Sequence, residues 1–418
     1  MTSIAPGGTE DSISDPAQAQ PRTLRVLIAS QILSGAGLAA GATVGALLAQ
    51  DMLGSTSLAG LPSALFTAGS ALAAIAVGRI SQSRGRRPGL AAGYLTAAIG
   101  SAGVITAVIL DNPVLLFTAL FVYGAGTATN LQARYAGADL ATPDHRGRAV
   151  STVLVATTLG GVAGPNLAAP TGHLAETLGV PDLAGLFILS GIAYALAALV
   201  LAIWLRPDPL LLARSLALPK DTRAADATAV DVADTREGRK VVVFGALVMV
   251  LSQLVMAAIM TMTPVHMHEH GHSTAASGLV IAIHIGAMYL PSPLTGWLVD
   301  RYGHMKIVAA SGITFLAAGV LAATAPGDSL VPLALALALL GLGWNFGLVS
   351  GTAIISDTVP LATRAKTQGV VDVAIAGATG GMASGVMVAA TSYPVLALTG
   401  GILSLALLPA VATTAYRR

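Results

Sequence analysis

No cysteine occurs anywhere in the 418 residues. Its absence excludes disulfides, thiolate metal sites and cysteine nucleophiles together. Charge is nearly as scarce, at 10% of residues, where a soluble globular chain carries about 25%. A chain this long with so few charges cannot cover itself with a water-compatible surface, and a hydrocarbon solvent removes the need for one. A cleavable signal is also missing. Residues 1–23 hold Gly7, Gly8, Glu10, Asp11, Asp15 and Pro21 instead of a charged start and an apolar run. That stretch reads as a disordered cytoplasmic tail. There is no Walker loop, dinucleotide fingerprint or nucleophile–base set, so neither an ATP-driven pump nor a membrane enzyme is expected. No prosthetic group, nucleic acid or obligate protein partner is expected either.

What is present is apolar and small: 54% hydrophobic residues and 47 glycines. Small residues let membrane helices approach closely. A spanning helix needs about 20 apolar residues. Such spans are read at 26–49, 58–78, 89–110, 113–138, 149–170, 184–205, 241–264, 275–298, 305–325, 329–352, 368–391 and 393–415. They fall into two six-helix bundles, 24–205 and 241–418, joined by a polar linker at 206–240. All 22 Lys and Arg then lie on one side of the map, among them Arg22, Arg79, Arg146, Arg206, Lys240, Lys306, Lys366 and Arg418. The positive-inside rule makes that side cytoplasmic, with both termini on it, in a plasma or inner membrane.

The two halves repeat a motif. Gly78-Arg-Ile-Ser-Gln-Ser-Arg-Gly-Arg-Arg87 follows span two, and Gly296-Trp-Leu-Val-Asp-Arg-Tyr-Gly-His-Met-Lys306 follows span eight. The second resembles the signature Gly-x-x-x-Asp-Arg-x-Gly-Arg-Lys of the major facilitator superfamily. The resemblance implies an all-α polytopic fold of twelve helices in two pseudo-symmetric halves. It also implies a gate served by Gly296, Asp300, Arg301 and Gly303 in one half and by Arg84, Arg86 and Arg87 in the other. The first copy departs from the pattern, with Gln82 where Asp is usual.

Spans seven and eight carry the unusual chemistry. Met256 and Met260 stand four residues apart in span seven, and His284 and Met288 four apart in span eight. That spacing puts each pair on one helix face. Met256 lies eight residues below Pro264 and His284 ten below Thr274, about 12 and 15 Å at helical rise. The pairs can meet near mid-membrane, where transporters of this kind bind substrate. Thioether and imidazole ligands suit Cu(I) best. The connecting loop adds His266, Met267, His268, His270 and His272. These read either as a metal-collecting tract or as an exposed polar loop whose histidines are incidental.

Met-x-x-x-Met in helix seven with His-x-x-x-Met in helix eight resembles the hallmark of the bacterial CcoA-like copper importers. That resemblance implies copper, as a substrate rather than a cofactor, taken into the cytoplasm for assembly of haem–copper oxidases.

Two other readings stand beside it. Gly160-Gly-Val-Ala-Gly164-Pro165 in span five resembles the antiporter signature of drug exporters and would fit a proton-coupled exporter of drugs or small metabolites. In any membrane helix it is also a bend with close packing. Asp372 within span eleven is a candidate for proton coupling, or for a pair with Arg134. Asn130, Gln132, Gln253 and Asn345 would line a cavity or bond between helices. The last reading is a metal-sensing membrane protein that transports nothing.

Overall fold

The computed structural model describes residues 16–43, 48, 52, 61–217, 236–378 and 382–408. These are helical almost throughout and contain no strand. The residues that interrupt the helices explain their segmentation. Helix one is Pro16–Thr43, helix two Leu61–Arg84 and helix three Arg86–Ile109. Gly85, at φ 99°, turns two into three, a conformation that costs glycine little. Helix four runs as Pro113–Tyr123 and Ala125–Ala138, meeting at Gly124. Helix five is Arg146–Asn166 continued by Ala168–Thr177, and helix six is Gly185–Trp204.

After a short helix, Pro209–Ala217, the second half begins with helix seven, Arg236–Glu269. Helix eight is Thr274–Tyr289 and Ser292–Tyr302, broken at Leu290-Pro291. Helix nine is His304–Thr324 and helix ten Leu330–Thr358. Helix eleven is Arg364–Ala378 with Met382–Ala390, and helix twelve Tyr393–Ser404. Among the described residues, eight helical stretches are long and apolar enough to cross a membrane. The twelve helices reproduce the spans read from the sequence.

Several boundaries differ, and four of the differences change a reading. Helix one starts at Pro16, inside the stretch read as tail; proline suits a first helical turn because its missing N–H has no partner there. Residues 1–15 lie outside the described residues. The linker holds the helix Pro209–Ala217, helix seven begins at Arg236, and the stretch between them lies outside the described residues. Helix seven also runs past Pro264 to Glu269. Met267 is fully buried and His266 stacks on Tyr393, with ring centroids 4.3 Å apart. That packing carries the helix through the proline, so His266 and His268 sit on a helix end rather than in a loop.

Each half has its own core. One buried cluster, from Leu27 to Leu205, belongs wholly to the first half, around Tyr94, Tyr123 and Phe187. A second centres on helices seven, eight and ten. Glycines set the closest approaches. A Cβ on Gly160 would strike the Ile32 carbonyl of helix one, so this part of the exporter-like motif is a packing surface. Gly160→Leu should prevent helices one and five from closing and cost at least about 1–3 kcal/mol. Detergent-solubilised variant melting with the parent would contradict that packing role.

Between the halves, Gly78 of helix two faces Ala365 O at 2.9 Å from its would-be Cβ. Gly296 of helix eight faces Gly147 O of helix five at 2.5 Å from its own. These two crossings are pseudo-symmetric and lie on the basic side.

Candidate transport site and its gate

The basic side is closed by hydrogen bonds that cross between the halves. Asp300 accepts from the backbone N–H groups of Gly147 at 2.7 Å and Arg148 at 3.0 Å. It therefore caps the start of helix five, where four N–H groups lack helical partners. Arg148 also approaches it at 3.7 Å. The matching position in the first half is Gln82. Its Oε1 accepts from Ala365 N at 2.8 Å and Lys366 N at 3.3 Å. Its Nε2 donates to Leu361 O at 3.2 Å and to Ala362 O. The departure from Asp thus has a structural use: an amide caps helix eleven and also donates to the loop before it, which a carboxylate cannot do.

Gln82→Asp should loosen this closure by the loss of two donated bonds, roughly tenfold in population. The chain has no native thiol. A single cysteine at Ser356, 1% exposed on helix ten, would therefore report gate opening by faster maleimide labelling. Unchanged labelling would contradict the latch.

The other motif residues divide by burial. Arg86 is fully buried and pairs with Asp139 at 2.7 Å while donating to Gln368 at 2.5 Å across the halves. Arg364 joins the same carboxylate at 3.8 Å. Arg146 pairs with Asp357. Arg84 and Arg301 are exposed, and Gly303 turns eight into nine at φ 86°. Arg87 offers only its backbone N–H, to Asp208 at 2.7 Å. That aspartate also caps Pro209–Ala217 through Leu210 N at 3.1 Å. Arg214 of this helix then reaches Leu361 O at 3.1 Å, so the linker helix is tied to the loop before helix eleven.

Above the gate lies a cavity of about 160 Å³. Phe66, Asn130 and Leu131 line it from the first half, and Gln253, Met256, Met288, Tyr289, Trp344 and Asp372 from the second. Its wall is mostly apolar and aromatic. Asp372 joins it to a buried ion pair: Arg134 Nη2 lies 2.8 Å from Asp372 Oδ1, and both side chains are at most 1% exposed. Arg134 also donates to Thr352 at 3.0 Å and Tyr135 at 2.8 Å. Asp372 Oδ2 is buried and has no hydrogen-bond partner. Of the two readings of this aspartate, the pair with Arg134 is present.

The four residues of the proposed metal set divide. Met256 and Met288 line the cavity; Met260 and His284 do not. Met260 is partly buried against the same core cluster. His284 is fully buried between helices eight and ten, with Nδ1 2.8 Å from Leu337 O. Its Nε2 is buried without a hydrogen-bond partner. Helix ten can come this close because Gly341 faces His284 O, 2.5 Å from its would-be Cβ.

The outer histidines are not assembled as a cluster. His266 and His270 are ring neighbours at 4.3 Å, His270 Nδ1 lies 2.8 Å from His266 O, and His272 Nε2 lies 2.9 Å from Gly327 O. His268 is exposed. Among the described residues no group of three or more His, Cys, Asp or Glu could hold a metal ion.

Of the polar candidates, Asn130 and Gln253 line the cavity. Gln132 donates to Ala74 O at 2.7 Å, and Asn345 to Met288 O at 2.7 Å. These two bond between helices. The sequence reading missed Trp344 and Tyr289. The usable signal was position, because tryptophans of membrane helices gather at the interfaces and Trp344 sits at the middle of helix ten.

A model of the Major Facilitator Superfamily matches residues 27–373 and again 245–418. The chain is 58% identical over 392 residues to the MFS-type transporter YdeG of Bacillus subtilis, covering 93% of this chain and 91% of that protein. It is 31% identical over 358 residues to the riboflavin transporter RfnT of Brucella anthropi, covering 85% and 86%. Similar folds occur in the human organic anion transporter MFSD10, at TM-score 0.74 and 17% identity over 94% of this chain and 99% of that one. The proton:xylose symporter XylE follows at 0.71 and 17%, over 94% and 95%.

Proposed function

We propose, for a chain that belongs to the major facilitator superfamily of secondary transporters, that its cargo is Cu(I), carried into the cytoplasm by alternating access. Family membership makes it a multi-pass membrane transporter and not an enzyme, and it displaces the sensor reading. The basic side is taken as cytoplasmic and the membrane as the plasma or inner membrane.

The observation that carries the proposal is the state of His284. A ring nitrogen facing a carbonyl at 2.8 Å carries the proton, which leaves Nε2 as a bare lone pair. Metal-bound histidines are oriented in the same way, by donating the other nitrogen to a backbone carbonyl or carboxylate. Here that lone pair is buried and unpartnered one helical turn from Met288. Met256 and Met288 then supply the soft ligands of the cavity wall, and His284, behind that wall one turn from Met288, is the third ligand the cargo would reach. Met260, one turn from Met256, is a relay ligand off the cavity. A near-neutral donor set fits a soft monovalent ion that must be released again. The free oxygen of Asp372 supports proton coupling at the same cavity. The outer histidines raise the local ion concentration without forming the transport site.

A second reading is a small organic solute with a flat aromatic body. Phe66, Tyr289 and Trp344 in the wall favour it, as does the likeness to a riboflavin transporter. In that case the proton-coupled exporter remains open. Cellular copper content in a copper-limited host, with and without the protein, separates these. Accumulation supports import and depletion supports export. Unchanged copper with altered flavin content would replace the first reading by the second.

A further inference from the structure

We infer that Trp344 is a specificity-determining residue of the cavity, presenting its indole face as a cation–π cap on a dehydrated monovalent soft cation. The inference rests on the Cu(I) reading and names a fifth recognition element for it.

Trp344 is 3% exposed and lines the cavity with Met256 and Met288. Its ring is fixed from two sides. Nε1 donates to Gln253 Oε1 at 2.8 Å, and Gln253 lies one turn before Met256 on helix seven. Tyr289, the residue after Met288, packs on the ring in a T-shaped contact, with centroids 5.5 Å apart and planes at 70°. The same two helices that carry the cavity thioethers therefore set the orientation of the indole. Asn345 next in sequence holds Met288 O at 2.7 Å and Ser292 Oγ at 2.6 Å, so helix ten registers both the ring and the thioether.

An indole face attracts a cation most strongly once the ion has shed its water. A soft ion loses its hydration to thioethers, whereas Na(I) and K(I) do not exchange water for sulfur. The ring and the thioethers together would therefore reject the abundant hard cations.

The chain has three tryptophans, and Trp204 and Trp297 are 50% and 39% exposed. Trp204→Phe with Trp297→Phe leaves Trp344 as the sole indole in the purified full chain. Titration with Ag(I), a redox-stable soft cation, in chloride-free detergent buffer should quench its fluorescence saturably, while Na(I) leaves it unchanged. By calorimetry Trp344→Leu should weaken Ag(I) binding about tenfold, and Trp344→Phe, which keeps a π face, should retain most of it. Ag(I) bound equally by parent and Trp344→Leu, with no quenching, overturns the cap and leaves the copper reading standing. No heat from Ag(I) with the parent overturns the copper reading and the cap with it.

Discussion

Replacing Arg134 by alanine should destabilise the folded transporter by about 3–5 kcal/mol, the cost of leaving a buried carboxylate without its counter-ion. Asp372 is 2% exposed, and among the described residues its cationic partner is Arg134 at 2.8 Å. Arg134 in turn joins helix four to helix ten through Thr352. Adding Asp372→Asn to Arg134→Ala removes the stranded charge and should recover most of the loss. Thermal unfolding of purified single and double variants in detergent checks this. Equal destabilisation by the single and double variants would show that the charge pair is not what the first change breaks. Asp372→Asn alone strands the buried Arg134 guanidinium, which keeps only its neutral partners Thr352 and Tyr135, so it too should lose stability. Under the proposed coupling role, the fraction that folds loses gradient-driven accumulation while the soft ligands are untouched.

The second large effect is expected at His284. His284→Asn leaves a side-chain N–H able to donate to Leu337 O, as Nδ1 does now at 2.8 Å, and removes the Nε2 lone pair while putting an amide oxygen in a smaller side chain. Folding should be nearly unchanged, and affinity for a soft cation should fall by about 100-fold or more. Met288→Leu conserves volume, should cost less than about 1.5 kcal/mol in stability, and should lose binding comparably. Parent-like Ag(I) affinity in both would remove the Met/His set from cargo recognition.

The fold was readable because its signals are summed over many residues. Twelve apolar runs, and a span map that puts the 22 Lys and Arg on one side, were enough to expect the helices and a basic face. Sites were harder, because counting residues gives depth in the membrane but not which way a side chain points around the helix. Met256 and Met260 were placed on one face, yet only Met256 reaches the cavity. His284 came to the expected depth, but Gly341 lets helix ten close over it. His266 and His268 were placed in the loop because Pro264 reads as a stop, while burial of Met267 and stacking of His266 on Tyr393 extend the helix; His270 and His272 do lie in the turn before helix eight. Gln82 looked like a weakened motif and proved to make four hydrogen bonds. No local pattern could announce that, because its partners are 279–284 residues away.

The central claim is that this cavity carries a soft cation. Its most direct test is uptake into proteoliposomes holding the purified chain and loaded with a Cu(I)-selective chelator, with an inward proton gradient and riboflavin assayed in parallel. Saturable Cu(I) accumulation that disappears in His284→Asn, with no flavin movement, is the predicted result. Flavin accumulation that is indifferent to His284→Asn, with Cu(I) entering no faster than into empty vesicles, would contradict it.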